Sequence, residues 1–374
     1  MSDEKKISEG ELLYDPMFAK KPELDWKDSE KGGLFGKAIV KKTVFILVLL
    51  IAIGGSLFFS FNSLSKAKFE YEGLDDGTYK LMAFHGQKND TVLNVDYVRS
   101  EDGKADESKT VTAVKQFAVT GNDTLQFVFI GKDVKEIEKT AFYYCTSLCA
   151  VYVDDANENY TDIDGVLYKK ENGKVTEALL CPQQYTRFRV AIALGETEPK
   201  DAEEALAVSQ KFKEEDYIAK LDEVVNGENT KTGKSYVIPK TVKKIDQLCF
   251  AYCDKFTSIK LPAGLTEIET MAFFKCSSLE AIDLPDTLET IGSDAFGKCG
   301  KITYLFIPKS VTSIGHHAFW DCGGIEKVYL EAPSSDGIET GSNWAPQYRK
   351  VFMKDCEKVI NEERTKIYKK IFIN

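Results

Sequence analysis

The sequence predicts an α/β solenoid of 23-residue coils that stack through a ladder of short parallel strands. Three residue types recur 23 positions apart without gaps: Pro239, Pro262, Pro285 and Pro308; Phe250, Phe273, Phe296 and Phe319; and Cys253, Cys276, Cys299 and Cys322. Self-similarity at a fixed period of this length is typical of repeat architectures, in which each repeat is one supersecondary unit.

Eight positions of each coil are apolar. In the copy Ser258–Glu280 they are Ile259, Leu261, Leu265, Ile268, Ala272, Phe273, Cys276 and Leu279. Neither the neighbouring copies nor an isolated copy over 127–149 places a charged residue in any of these positions. One coil cannot bury its own apolar side, so its neighbours must stack on it and share a continuous core.

Two smaller features of the coil follow from this register. The segment that ends in proline alternates apolar and polar residues, which predicts a short strand that the proline terminates. The repeated cysteine fits as a small core residue. We therefore expect Cys253, Cys276, Cys299 and Cys322 to be buried free thiols.

The coil spacing fails between Ile130 and Ile238, and residues 186–234 interrupt the array. Part of this insertion has apolar residues at helical spacing, which predicts one or two amphipathic helices. Residues 196–228 contain eleven acidic and four basic side chains. Two interpretations stay open: a helical excursion packed on the array by its apolar side, or an acidic face for a partner.

An uncharged run over residues 43–65 has the length of a bilayer-spanning helix. We interpret it as an uncleaved signal anchor, since 42 residues precede it and no clean cleavage site follows. Lys31, Lys37, Lys41 and Lys42 lie close before the run, which predicts a cytoplasmic tail over 1–42 and an extracellular C-terminal part. A cleaved signal peptide is the alternative.

Composition argues against several classes of function. The formal net charge is -10, with no basic stripe for nucleic acid. The chain has three histidines, and its nine cysteines do not form pairs with metal-ligand spacing. Residues 162–165 resemble a fragment of a calcium loop that lacks its further ligands. We expect no enzyme activity, no metal and no cofactor.

The segment IPKSVTSIGHHAFWDC (Ile307–Cys322) resembles the repeats of the BspA-like leucine-rich repeat family of cell-surface proteins. Asn159–Pro182 resembles that family's hairpin coil, with Asn172-Gly173 as its turn, and Asp75–Gly86 resembles its N-terminal β cap. VYLEAPSSDGIETGSNW resembles its closing coil. The resemblance implies a β-rich cap, leucine-rich repeats and a C-terminal cap, which we place at 66–126, 127–335 and 336–374.

The resemblance also implies surface display and adhesion or ligand binding. Strand alternation predicts that residues between the core positions face outward, and those at the two ends of the array are aromatic. Clustered exposed aromatic residues are typical of binding surfaces. The candidate binding residues for an extracellular protein or glycan are Tyr304, Phe306, Tyr329, Phe127, Phe129 and Tyr152. The alternative function is an envelope scaffold or signalling component whose cytoplasmic tail engages a partner.

Overall fold

The structure is a computed structural model that describes residues 68–87, 89–193, 198–211, 235–325, 327–331, 338–342, 344 and 350–353. All of these belong to one unit, Lys68–Asn374. The predicted cytoplasmic tail and membrane anchor, residues 1–42 and 43–65, lie outside the described residues. Among the residues that are described, no helix has the length and apolar character needed to cross a bilayer.

The N-terminal part of this unit is rich in strands. Its strands are β1 (Phe69–Gly73), β2 (Tyr79–Phe84), β3 (Val92–Val95), β4 (Tyr97–Arg99) and β5 (Ala105–Val114). Strands β1, β2, β5 and β4 form one sheet in that order. Strand β3 instead joins the first repeat strand in a parallel pair, so the cap continues directly into the repeats.

The coils pair in parallel through the predicted strand. These strands are β6 (Phe127–Ile130), β8 (Ala150–Val153), β12 (Ser235–Val237), β14 (Ser258–Lys260), β17 (Tyr304–Ile307), β19 (Lys327–Leu330) and β21 (Lys350–Met353). Partners in the register are 23 residues apart, as in Phe127 with Ala150 and Tyr304 with Lys327. The 23-residue period of the sequence is therefore also the offset between paired residues of neighbouring coils.

Each coil also has a second, two-residue strand that the sequence analysis did not predict. These strands are β7 (Glu136–Ile137), β13 (Lys244–Ile245), β15 (Glu267–Ile268), β16 (Thr290–Ile291), β18 (Ser313–Ile314) and β20 (Glu339–Thr340). The last five form a parallel ladder that is also in 23-residue register up to β18. A segment of two residues is too short to show a period in the sequence.

The predicted hairpin coil extends this second ladder. It consists of β9 (Tyr160–Ile163), β10 (Val166–Glu171) and β11 (Lys174–Leu180), with β11 parallel to β13. Both residues of Asn172-Gly173 have positive φ, at 51° and 71°, and so do Asp164 and Gly165. Two consecutive residues with positive φ give the tight turn that hairpins favour, which confirms the predicted Asn172-Gly173 turn.

The core runs continuously through the C-terminal coils. Phe250, Phe273, Phe296 and Phe319 are each 0% exposed, and neighbouring rings stack at 5.3, 5.0 and 5.2 Å. All cysteines of the described residues are buried free thiols, as predicted for the four ladder positions. The thiols also link coils, since Sγ of Cys276, Cys299 and Cys322 donates to the phenylalanine carbonyl of the preceding coil at 3.0–3.1 Å.

A tight turn around the phenylalanine places two non-glycine residues of each coil in the left-handed region. In one coil these are Met271 (φ 55°) and Lys275 (φ 60°). This backbone turns the N–H groups of Met271, Phe273 and Lys275 toward the next coil, where three carbonyls accept them at 2.8 Å each. The coils are therefore joined by a row of hydrogen bonds along the turns as well as by the two strand ladders.

The insertion is helical over its described part, as predicted. Helix α1 spans Tyr185–Ala193 and helix α2 spans Ala202–Lys211. Asp201 caps α2, because its Oδ1 accepts from the N–H of Glu203 and Glu204. Both helices pack on the outward face of β6 and β8 by their apolar sides, which agrees with the packed-excursion interpretation.

Candidate ligand-binding face

The N-terminal strands present two outward rows of side chains. The parallel register of β3, β6 and β8 aligns Val92 with Phe127 and Ala150, and it aligns Asn94 with Phe129 and Tyr152. We call these sets the front row and the rear row. Three of the six candidate residues of the sequence analysis lie in these rows: Phe127, Phe129 and Tyr152.

Phe127 in the front row is 0% exposed, so the expectation that it faces solvent was wrong. The ring of Phe188 from α1 meets it edge-on at 5.3 Å, and Ala205 from α2 packs in the same cluster. Thr91 Oγ1 and Ser209 Oγ also share a hydrogen bond of 2.8 Å, which fixes α2 beside the strands. Alternation places Phe127 outside the coil core, but the insertion then covers it.

The candidate residues at the other end of the array are also less accessible than expected. Phe306 is 6% exposed and Tyr329 is 3% exposed, which contradicts their prediction as exposed aromatic residues. Their rings are 23 residues apart and stack face to face, with centroids at 4.9 Å and planes at 7°. Each ring therefore covers the other, and only Tyr304 of this cluster keeps partial exposure.

The rear row remains partly open. The rings of Phe129 and Tyr152 are half-buried and lie 5.2 Å apart at an angle of 30°. Together with Tyr97 they line a groove of about 500 Å³ at the carboxyl ends of the strands, beside the start of α2. Its polar lining consists of Asn94, Asp96, Lys132, Asp133, Asp154, Lys200 and Asp201. We call this feature the strand-end groove.

Two polar atoms of the groove are buried without a hydrogen-bond partner in the part of the chain that the structure describes: Tyr152 Oη and Asn94 Oδ1. Burial raises the pKa of Tyr152 well above its usual range, so its hydroxyl stays neutral and can donate a hydrogen bond. A buried polar atom without a partner costs free energy.

Several charges of the groove are already engaged. Asp96 Oδ1 accepts from Arg99 Nη2 at 2.7 Å, and Asp201 caps α2. Asp154 Oδ1 accepts from the N–H of Ala156 at 2.9 Å. Among the described residues no cluster of three or more His, Cys, Asp or Glu side chains is placed to hold a metal ion. The groove thus combines an aromatic pair with a polar, mixed-charge rim.

The other polar candidates have structural roles. Asp162 of the calcium-loop fragment accepts hydrogen bonds from the N–H groups of Val153 and Gly165, so it fastens the hairpin turn to strand β8. His316 lies at the surface and its Nδ1 is 2.8 Å from Ser342 Oγ. The contact of His316 joins neighbouring coils.

Comparison with known proteins places the repeats in a family. The family model described as "BspA type Leucine rich repeat region" matches six copies, over residues 104–173 and 228–341. No curated protein sequence matches the chain.

Several solved structures are similar to it, among them the following three. A leucine-rich repeat protein from Eubacterium ventriosum is 19% identical, with a TM-score of 0.39, and the match covers 64% of this chain but only 56% of that protein. The pneumococcal vaccine antigen PcpA is 15% identical, with a TM-score of 0.40 and coverage of 76% and 85%. A leucine-rich cell-surface protein from Faecalibacterium prausnitzii is 14% identical, with a TM-score of 0.39 and coverage of 76% and 95%. On the evidence of its six matched repeats, the chain carries a BspA-type leucine-rich repeat region.

Proposed function

We propose that the chain is a surface-displayed repeat protein that binds a protein or glycan ligand in the strand-end groove, without catalysis. The observation that carries this proposal is the half-buried pair of Phe129 and Tyr152, which lies open along the groove while the neighbouring front row is covered. An aromatic pair held on strands offers a large apolar contact area at a low cost in conformational entropy.

The rim of the groove supports the same proposal. Tyr152 Oη and Asn94 Oδ1 are buried beside the groove without partners of their own in the described chain, and rotation of either side chain would offer a ligand one donor or one acceptor. Lys132 and Asp133 lie beside them on the loop that follows β6. Aromatic faces flanked by hydrogen-bonding groups suit both the flat face of a sugar ring and a protein side chain, and loops on a rigid scaffold commonly carry such sites.

We place this binding region outside the cell. The support is the uncharged run over 43–65, with its lysine-rich N-terminal flank, together with the surface display that the resemblance of the repeats implies. Protease added to intact cells that express the full chain should then remove the region after residue 66. Protection on intact cells, with digestion only after lysis, would reverse the proposed topology.

Binding is tested with the same cells on a glycan array and on an array of extracellular-matrix proteins. On every ligand that binds cells with the unchanged chain, cells with the double variant Phe129→Ser and Tyr152→Ser should give a binding signal at least ten-fold lower. The matched control is Phe117→Ser, which replaces an aromatic residue that is 42% exposed and lies outside the groove. Equal loss in both variants, or none in the double variant, would show that the groove is not the site.

A further inference from the structure

The row of turn hydrogen bonds between coils is interrupted beside the hairpin coil. In the intact array the N–H groups of Leu248, Phe250 and Tyr252 donate to the carbonyls of Thr270, Ala272 and Phe274. The hairpin coil has a shorter turn. Residues 178 and 245 are partners in the strand ladder, yet Cys181 N already donates to Cys249 O at 2.7 Å, the bond that Phe250 makes to Ala272.

The coil before the hairpin consequently has free donors. Thr140 and Tyr144 have the same positive φ, 60° and 58°, as Met271 and Lys275, so this turn has the usual geometry. The N–H groups of Thr140, Phe142 and Tyr144 nevertheless have no acceptor within the described chain. Three aligned donors without acceptors are unusual in a fold, because unpaired backbone groups are costly when they are shielded from water.

The coil after the hairpin shows the complementary defect. The carbonyl of Cys249 accepts from Cys181. The carbonyls of Gln247 and Ala251 are the equivalents of Thr270 and Phe274, and they receive no backbone donor from the residues that the structure describes. Within the described chain, one wall of the interruption thus offers three donors, whereas the opposite wall leaves two carbonyls without a backbone donor on either side of the Cys249 carbonyl that Cys181 occupies.

A cleft of about 60 Å³ lies at this interruption, and we call it the coil gap. Its lining is mostly apolar and includes Leu148, which is buried, and Ile137, Leu179 and Leu180, which keep partial exposure. A water molecule needs about 10–15 Å³ by such a measure, so the coil gap has room for about four to six water-sized groups. That is enough for the four carbon atoms of a leucine side chain.

Contacts between the two coils mark the ends of the coil gap. At one end the ring of Tyr144 meets that of Tyr252 edge-on at 5.6 Å. At the other, Lys139 Nζ reaches Glu269 Oε1 at 2.7 Å and Asp246 Oδ1 at 3.4 Å. The side chain of Lys139 is 49% exposed, so these ion pairs lie at the solvent-facing end of the coil gap.

We propose that the coil gap is a second binding site, which takes a short peptide segment with one aliphatic side chain. The peptide's carbonyls accept from Thr140, Phe142 and Tyr144, and its leucine-sized side chain lies on Leu179 and Leu180. The segment supplies the hydrogen bonds that the short hairpin turn leaves unmade, in the manner of a peptide that adds to a sheet edge. The site is separate from the strand-end groove and does not depend on it.

The test is hydrogen exchange of the full chain in detergent micelles, resolved to single amides. In the free chain the amides of Thr140, Phe142 and Tyr144 should exchange much faster than those of Phe250 and Phe273, which are paired. The probe acetyl-Ser-Ala-Leu-Ala-Ser-amide should slow exchange at the three amides at least ten-fold at saturation. The same peptide with aspartate in place of leucine should leave them unchanged.

Two variants separate the coil gap from general effects. Leu180→Asp places a charge in the apolar lining and should abolish the protection by the leucine peptide. Leu206→Asp changes a leucine that is 43% exposed on α2, outside the coil gap. In this variant the leucine peptide should still protect the three amides. The proposal is overturned if the three amides are already protected in the free chain, if both peptides act alike, or if Leu180→Asp has no effect.

Discussion

Replacement of Phe296 by alanine tests whether the phenylalanine stack holds the coils together. The side chain is 0% exposed, and its ring stacks on Phe273 at 5.0 Å and on Phe319 at 5.2 Å, with planes within 4°. A buried Phe→Ala change costs about 3–5 kcal/mol through lost transfer energy and the cavity left behind. Because rigid neighbours on both sides limit collapse of the cavity, we expect the upper half of that range.

The measurement is urea unfolding of the full chain in micelles, followed by circular dichroism. Phe117→Ala is the control, since that ring is 42% exposed, and it should cost about 1 kcal/mol or less. A double-mutant cycle with Phe273→Ala should give a coupling of about 0.5–1.5 kcal/mol, the contribution of one aromatic pair. A loss at Phe296 below about 2 kcal/mol, or no coupling, would refute the stacking argument.

Three further predictions concern other parts of the array. Burial raises the pKa of Asp246 to about 6, so this carboxyl favours folding below about pH 4 and that contribution is lost as the pH rises through 6. Asp246→Asn should therefore raise the free energy of unfolding by about 1–3 kcal/mol at pH 7 and by much less at pH 4; an equal gain at both would contradict this. Phe188→Ala should cost about 3–5 kcal/mol and expose Phe127, seen as new binding of a hydrophobic dye; unchanged dye binding would mean that α1 is not the cover. A thiol reagent at pH 8 should modify Cys276, Cys299 and Cys322 only after denaturation, since burial raises the pKa of their thiols. Rapid labelling of these three cysteines in the folded chain would disprove their core placement.

The repeat itself was predictable because its signals are local and regular. Eight uncharged positions per coil, with proline and phenylalanine in fixed phase, specify which side chains are buried and which residues pair. The Asn172-Gly173 turn was predictable for the same reason, since its positive φ angles need residues of this kind. In each case the information lies within one coil.

Other features of the turns could not be predicted from residue type. The left-handed positions hold Leu248, Met271, Asp294 and His317, none of which is glycine. Hydrogen bonds between coils impose this conformation against its local cost. The cysteine was predicted as a core residue, but its hydrogen bond to the carbonyl of the preceding coil appears only when the coils are stacked.

The exposure of the candidate site was the largest error, and it arose from contacts that are distant in the sequence. Alternation identified Phe127 and Phe129 as outward residues, and both lie outside the coil core. It could not show that Phe188, 61 positions later, would cover one and leave the other open. Alternation determines the side of a strand on which a residue lies, whereas exposure depends on what else the chain places there.

If the proposed function holds, the insertion links stability and binding on one surface. Without α1 and α2 the front and rear rows would form a continuous aromatic and apolar patch, with Phe127, Phe129 and Tyr152 side by side. Patches of that kind promote nonspecific association. The helices bury the front row, which stabilises the fold, and they restrict the accessible part to the rear row beside a polar rim. A deletion that removed α1 and α2 would consequently enlarge the exposed apolar patch and also remove one wall of the strand-end groove. Selective ligand binding should then fall, even where nonspecific adhesion rises.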